Sequence, residues 1–533
     1  MHWQGKDLEV IRLRRLIRLG ISTAVSEKRG IATIAVGDGF SGFGTKASRV
    51  AATAWQAMAD LKRSPTHVLI LAIFLLIGLF LRVEQAVRNP HLAHPDEVFQ
   101  TEEPAHRLAY GYGVITWEWR LGIRSWVFPA FLACVMRETS WLGAGATGYL
   151  FGIVAVLSLI SLVVVWFGFA WAKQASGVDA AIIAAGACAT WYELVNFAPR
   201  ALTEVVATHA LLAGLYLGVW GEELPKWKRL FAAGLCCGVS LSLRIQLTPA
   251  IAFAVFYFCR SGWRKRLIPL GVGLMVPILV FGVVDMLTWS YPLQSFVRYF
   301  WVNAVERRSE LYGTEPWYWY VVILLDRLGP MAVLALVGVR RSPFLGWLAL
   351  IILAFHSSLS HKEIRFLYPL VPIVITLASL GIVEVADVFY ALWRPTPSVR
   401  MVVVLVGLSL CVLASSVLAK RFQWFPSVDT FDRLSRDKTV CGVGLYGIPW
   451  FTTGGYTHLH QAVPISLVPP DESPFGEESQ SFNVLVANDV VASPSASFQL
   501  VGCSDGACLY RRQGSCTPRQ GLEINEVLRR TGN

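Results

Sequence analysis

The residue types best suited to chemistry crowd one stretch. It opens with His94-Pro95-Asp96-Glu97, continues through Gln100, Glu102, Glu103 and His106, and passes Tyr110-Gly111-Tyr112-Gly113 to Thr116-Trp117-Glu118-Trp119. Arg120, Arg124 and Ser125 close the cluster. Three kinds of chemistry compete. His91, His94, Asp96 and Glu97 offer metal donors, though not at a standard zinc spacing. A carboxylate pair just past an apolar run suits a proton relay. The third is a general base for group transfer. A sugar leaving as a lipid phosphate needs little help with its leaving group, so one carboxylate to take the acceptor proton and cations to hold the phosphate suffice.

Those cations stand elsewhere: Arg200 in Asn196–Glu204, Arg244 in Ser242–Pro249, and the dense group His361-Lys362-Glu363-Ile364-Arg365-Phe366. Arginine presents a planar fork to phosphate and lysine a point charge. Each, taken singly, also reads as a snorkelling anchor. The segment 285–320 is rich in aromatics, with Trp289, Tyr291, Tyr312 and Pro316-Trp317-Tyr318-Trp319-Tyr320. Such rings collect at membrane interfaces, and they also stack on sugars.

What positions these groups follows from composition. Of 533 residues, 54% are hydrophobic and 16% charged, with mean hydropathy +0.51. A soluble domain carries about 25% charged residues, so the chain reads as a polytopic membrane protein. Val68–Leu81 is the first apolar run; others are Ala180–Tyr192, Val205–Gly221, Leu230–Leu243, Ile245–Cys259, Leu267–Val284, Leu328–Val339, Ser342–Ser360, Phe366–Val383 and Met401–Ala419. With the uncharged stretch inside Thr139–Ala172, this predicts about eleven spans.

Lys and Arg alternate between loops as a cytoplasmic N-terminus requires. Lys173, Lys226, Lys228, Arg229, Arg260, Arg264, Lys265, Arg266, Arg340, Arg341, Arg394 and Arg400 fall on one side, and the chemistry-bearing loops on the other. The net charge of +11 is thus topogenic, and no nucleic-acid partner is expected. Residues 1–65 are expected to form a basic, poorly ordered cytoplasmic tail, with a helix over Leu8–Leu19 lying on an anionic leaflet as the alternative.

After residue 420 the composition changes. Thr439–Tyr446, Asn483–Val491 and Phe498–Leu509 read as strands of a small α/β or mostly β domain, 421–533. Cys441, Cys503, Cys508 and Cys516 lie here, and Cys503 with Cys508 could close a tight loop; at least one disulfide is expected.

Taken together, His94-Pro95-Asp96-Glu97, Thr116–Trp119, Arg124-Ser125, Tyr312-Gly313 with Pro316-Trp317, and His361–Phe366 resemble glycosyltransferase family 22, over about residues 66–420. These are the GT-C mannosyltransferases of GPI-anchor and lipid-linked oligosaccharide synthesis. The resemblance implies an all-α polytopic GT-C domain whose loop 83–138 is catalytic; the odd span count puts the C-terminal α/β domain outside the cytoplasm. The resemblance also implies transfer of mannose, with inversion, from a polyprenyl (dolichyl) phosphate to a lipid-linked glycan or glycolipid, without a nucleotide sugar, a cofactor or a bound metal. Separately, a monomer is expected. The membrane would be the endoplasmic reticulum in a eukaryote or the inner membrane in a bacterium. Asp96 maps to the catalytic base with Glu97 beside it. Lys362, Arg365, His361, Arg244 and Arg200 map to donor-phosphate contacts, and His94, Gln100, Glu118, Trp117, Tyr312 and Trp317 to substrate contacts. The alternative is a lipid or sugar transporter using the same charges.

Overall fold

The computed structural model describes residues 65–88, 94–220, 226–392, 396–419, 425–491, 497–504, 507–517 and 521–532. The expectations for the N-terminal tail and for His91 lie outside them. Every apolar run coincides with a helix. Numbered in chain order, these are α1 (Pro65–Arg88), α2 (Thr147–Ser176), α3 (Val178–Thr190), α4 (Thr203–Val219), α5 (Lys226–Leu243) and α6 (Thr248–Cys259). There follow α7 (Trp263–Thr288), α8 (Trp319–Leu328), α9 (Pro330–Gly338), α10 (Pro343–Ser358), α11 (Leu370–Leu392) and α12 (Pro397–Leu418).

Among the described residues, α1, α2, α7, α11 and α12 are each long and apolar enough to cross a membrane, and α3, α4 and α10 are shorter apolar helices. A sixth candidate is the pair α8–α9, bent by 101°. The bend sits at Gly329, whose φ of +48° suits glycine, followed by Pro330, which has no amide hydrogen to continue the ladder.

Small residues let the helices approach. A Cβ at Gly234 would meet the Leu270 carbonyl oxygen at 2.0 Å, and one at Gly273 the Phe231 oxygen at 2.1 Å. Glycines on α5 and α7 thus bring the two backbones into contact. Arg82 is fully buried in α1. Its guanidinium donates to the carbonyls of Gly78 (2.9 Å), Cys188 (3.1 Å) and Ala189 (3.2 Å), the last two at the end of α3. Carbonyls orphaned where α3 stops are thereby satisfied.

The C-terminal part holds a five-stranded sheet in the order β2-β1-β3-β5-β4. Its strands are β1 (Val443–Tyr446), β2 (Ile465–Val468), β3 (Val484–Ala487), β4 (Phe498–Ser504) and β5 (Ala507–Arg512). β1 runs parallel to β2 and β3, while β5 is antiparallel to β3 and β4. The run Phe498–Leu509, expected as one strand, spans the two strands of a hairpin, and β2 went unforeseen in the sequence. Disulfides join Cys441 to Cys516 and Cys503 to Cys508. The core beneath the sheet, with Val443, Leu445, Val484 and Phe431, also takes in Val98, Phe99 and Val114 from the first long loop.

Candidate active site

The first long loop does not fold as a plain helix. Asp96 precedes a π-helix, Glu97–Glu102, all of whose residues are buried, and an α-helix, Glu103–Tyr110, follows. Widened turns of this kind concentrate at functional sites. Thr101 fixes it, its hydroxyl lying 2.6 Å from the Ala201 carbonyl oxygen and 2.5 Å from that of Glu97. This leaves Asp96, on a shoulder of the loop, only partly buried.

Asp96 faces the group predicted from the far end of the sequence. Its Oδ2 accepts hydrogen bonds from Arg365 Nη2 and from Gln100 Nε2. Arg365 is buried, with Nε 2.6 Å from Glu363 Oε2 and Nη1 2.9 Å from Glu204 Oε1. One guanidinium thus serves three carboxylates. Glu363 is further held by His361 Nε2 at 3.0 Å and His94 Nε2 at 3.0 Å. Burial alone would raise the Glu363 carboxyl; Arg365 outweighs it, with the hydrogen bonds from His361, His94 and Arg365, and the group lies far below the usual range. The bond to Glu363 in turn raises His361 above its ordinary value, against burial.

His94 accepts the Asp96 amide on Nδ1 at 3.2 Å, so the ring proton belongs on Nε2, where it donates to Glu363. Asp96 Oδ1 therefore faces, at 3.7 Å, a ring nitrogen already acting as an acceptor. Among the described residues no three His, Cys, Asp or Glu side chains converge as a metal-binding set.

Beside this network a cleft with a water-accessible volume of about 70 Å³ is lined by Gln100, Arg124, Arg244, Gln246 and Tyr299, among others. Arg244 follows the end of α5. It stands 3.8 Å from Glu204 Oε2, beyond hydrogen-bond distance, and lies over the Phe366 ring at 4.6 Å. Arg124 Nη2 bonds Glu118 Oε1 at 2.7 Å, its buried Nε has no hydrogen-bond partner among the described residues, and its guanidinium lies 5.4 Å over Tyr299. Gln100 ties the two halves together, reaching Asp96 and, at 3.2 Å, Glu118 Oε1. Burial raises the Glu118 carboxyl, Arg124 opposes that, and Asp96 adds to it.

The remaining expected residues are placed as follows. Glu97 is buried, 3.9 Å from Arg200 Nη1, and its Oε1 accepts the Ala201 amide at 3.4 Å. Lys362 Nζ donates to the carbonyls of Glu315 (3.0 Å) and Leu359. Trp117 stacks on Tyr312 at 6.3 Å, and the Arg308 guanidinium lies 4.2 Å from the Trp117 ring centre. Trp317 is exposed and packs edge-on against Tyr318. Three groups of this site had no role in the sequence reading: Glu204, Arg124 and Glu363. An acidic residue opening an otherwise apolar helix, as Glu204 does in α4, was the available signal.

The C-terminal part grips the loop from behind. Glu103 accepts the amides of Val114 (2.7 Å), Tyr456 (2.9 Å) and Thr457 (2.7 Å) and the Thr457 hydroxyl (2.6 Å). The grip needs glycine at 455, with φ +59°, because a Cβ there would sit 3.0 Å from the Glu103 carboxylate. His106 Nε2 meets His460 Nδ1 at 3.1 Å, and His458 Nδ1 meets Asp432 Oδ1 at 2.8 Å. Burial pushes His106 down to about 3. It also opposes charge on His458, but Asp432, with Glu102 and Glu97, carries that group up to about 9. Burial, reinforced by Glu97, raises Glu102 to about 8.

Comparison with known proteins gives both a family and a fold. The Alg9-like mannosyltransferase family matches residues 71–460. GPI mannosyltransferase 3 of Yarrowia lipolytica is 28% identical over 402 residues, 72% of this chain and 74% of that protein. GPI alpha-1,2-mannosyltransferase 3 of Mus musculus is 26% identical over 407 residues, 71% of this chain and 70% of that one. Among solved structures, ArnT from Cupriavidus metallidurans bound to undecaprenyl phosphate superposes with TM-score 0.56 at 15% identity, covering 85% of this chain and 99% of that one. The shared architecture is the GT-C fold.

Proposed function

The chain belongs to the Alg9-like mannosyltransferase family and is a multi-pass mannosyltransferase, and on that premise we propose that it moves mannose from a polyprenyl phosphate to a lipid-linked glycan or glycolipid, with inversion. Asp96 is the general base. Its Oδ2 is held by Arg365 and Gln100, so Oδ1 is the oxygen that takes the acceptor hydroxyl proton. As the acceptor oxygen bonds to the anomeric carbon, the carbon–oxygen bond to phosphate breaks on the opposite face, and the lipid phosphate departs with the electron pair. Cations that stabilise the departing charge lower the barrier.

The geometry favours Arg244 and Arg124 for that task. Both line the cleft beside Asp96, whereas Arg365 is committed to three carboxylates and Lys362 to backbone carbonyls. A bound lipid phosphate in the solved ArnT structure agrees with a donor of this class. The reaction as written needs no resident cofactor or metal, because the leaving group is already a phosphate. About eleven spans, with the N-terminus in the cytoplasm and the site on the opposite face, follow from the basic loops.

The observation that carries this reading is the meeting of Asp96 with the 361–366 segment beside an arginine-lined cleft. Membranes incubated with radiolabelled polyprenyl-phosphate mannose test it. A labelled glycolipid with a new mannosidic bond of inverted configuration is expected. Label crossing the bilayer without a new glycosidic bond would support a transporter instead.

A further inference from the structure

The neutral polar groups that line the cleft beside Asp96 divide into two sets. Gln100 is tied to Asp96 and Glu118. Thr101, Thr203 and Ser295 spend their hydroxyls on Ala201, Glu204 and Asp285, and Ser125 stands beside the Asp285 carboxyl. Ser242, Gln246 and Tyr299 line the same cleft and keep bonding capacity in hand. The Ser242 hydroxyl and Gln246 Oε1 are buried with no hydrogen-bond partner among the described residues. Gln246 Nε2 donates to the Tyr299 hydroxyl; with the amide turned over, one of its two ends would still be unpaired.

A helical serine can return its hydroxyl to the carbonyl four residues back, as Ser379 does in α11. Ser242, in the last turn of α5, does not. Gln246 lies in the single turn Ile245–Leu247 between α5 and α6, just after Arg244. Helices on both sides fix that turn, which suits a group that must read geometry. Tyr299 lies under the Arg124 guanidinium at 5.4 Å. The neutral groups thus adjoin the two arginines assigned to the donor phosphate. In a glycosyl phosphate the anomeric carbon is bonded to a phosphate oxygen, so the sugar ring is the part of the donor that comes next. Its hydroxyls are uncharged donors and acceptors, matched to an amide and to hydroxyls. An unpaired buried polar atom costs stability, and a sugar hydroxyl in the cleft removes that cost.

We propose that Gln246, with Ser242 and Tyr299, hydrogen-bonds a hydroxyl of the donor's hexose ring and so selects which sugar is transferred. The proposal rests on the reading of the cleft as the donor site. A site built to bond a hydroxyl rejects the analogue that lacks it, because its own buried groups are then left unpaired. Gln246 is a specificity residue; the acceptor proton stays with Asp96 and the departing phosphate with the arginines.

The test measures kcat/KM of the full chain in detergent with polyprenyl-phosphate mannose and with its 2-, 3-, 4- and 6-deoxy analogues, for wild type and Gln246→Met. The substitution keeps the length of the side chain and removes both polar ends. Wild type uses at least one deoxy donor at least about tenfold less well than the mannose donor. In Gln246→Met the penalty for that same analogue shrinks to less than about threefold, while the penalties for the others hold. Comparing penalties between the two proteins cancels the intrinsic reactivity of each analogue. A uniform loss of activity that leaves every penalty as in wild type marks a merely structural residue and overturns the proposal, as does a wild type indifferent to all four analogues. Should Gln246→Met not fold, Tyr299→Phe, which keeps the ring under Arg124, takes its place: the same selective loss supports the proposal and unchanged penalties refute it. No transfer of mannose by wild type would instead overturn the donor reading on which the proposal stands.

Discussion

The carboxylate of Asp96 and the guanidinium of Arg365, 269 residues apart in sequence, meet in one ion pair. Arg365 also binds Glu204 and Glu363, so it is the hub on which the site is assembled. A lysine cannot reproduce a planar fork shared among three carboxylates. Arg365→Lys should therefore lose activity and destabilise the fold by about 3–5 kcal/mol, the cost of leaving a buried charge unpaired. Scanning fluorimetry showing an unchanged Tm would remove the hub role.

Arg244 and Lys362 separate binding from structure. Arg244→Gln should raise the donor KM at least about tenfold with little change in Tm, since a hydrogen bond to a charged group contributes about 1.5–3 kcal/mol. Lys362, bonded to the carbonyls of Glu315 and Leu359, ties loop to loop. Lys362→Gln should lower Tm while the donor KM holds. Steady-state kinetics with polyprenyl-phosphate mannose distinguishes the two, and the reverse pattern would restore Lys362 as the phosphate ligand.

Glu103 fastens the C-terminal sheet domain to the helix that follows the π-turn. Glu103→Gln leaves one carbonyl oxygen where two carboxylate oxygens received four donors, and should cost about 1–3 kcal/mol. Gly455→Ala should act similarly through its left-handed backbone and the 3.0 Å contact. Both variants should release the C-terminal part to protease faster than wild type; unchanged cleavage would argue that the grip is dispensable.

His458 makes the same junction sensitive to pH. Its folded pKa, about 9, lies above the ordinary 6.5. Its stabilisation is present in full below pH 6.5 and is lost as pH rises through 9. Glu102, raised from 4.5 to about 8, has the same sign. His106, lowered to about 3, has the opposite one and costs stability as pH falls below 6.5. The Tm difference between wild type and His458→Gln isolates the first effect. It should be constant below about pH 6.5 and shrink toward zero past pH 9; a difference that grows with pH would contradict the assignment.

The apolar runs were legible because hydrocarbon thickness dictates their length, and Asp96 and Arg365 because ionisable groups beside a membrane are costly to hold without a task. Which partners each cation takes was not legible. Lys362 and Arg365 share one short motif, yet backbone geometry turns the lysine to carbonyls and the arginine to carboxylates. Nothing in the local pattern marks Glu103 as the anchor of Thr457, 354 residues away. Val98, Phe99 and Val114, from the same loop, complete a core built by a different part of the chain. The strand β2, four residues long, was too short to stand out by alternation.

The most direct measurement is single-turnover mannosyl transfer by Asp96→Asn, compared with Glu97→Gln, in protein shown to be folded. Loss of a general base should slow the Asp96 variant by about 10²–10⁴-fold with donor binding retained. Glu97, buried behind it and 3.9 Å from Arg200, should show its effect mainly in stability. Transfer at near the wild-type rate by the Asp96 variant would contradict the account.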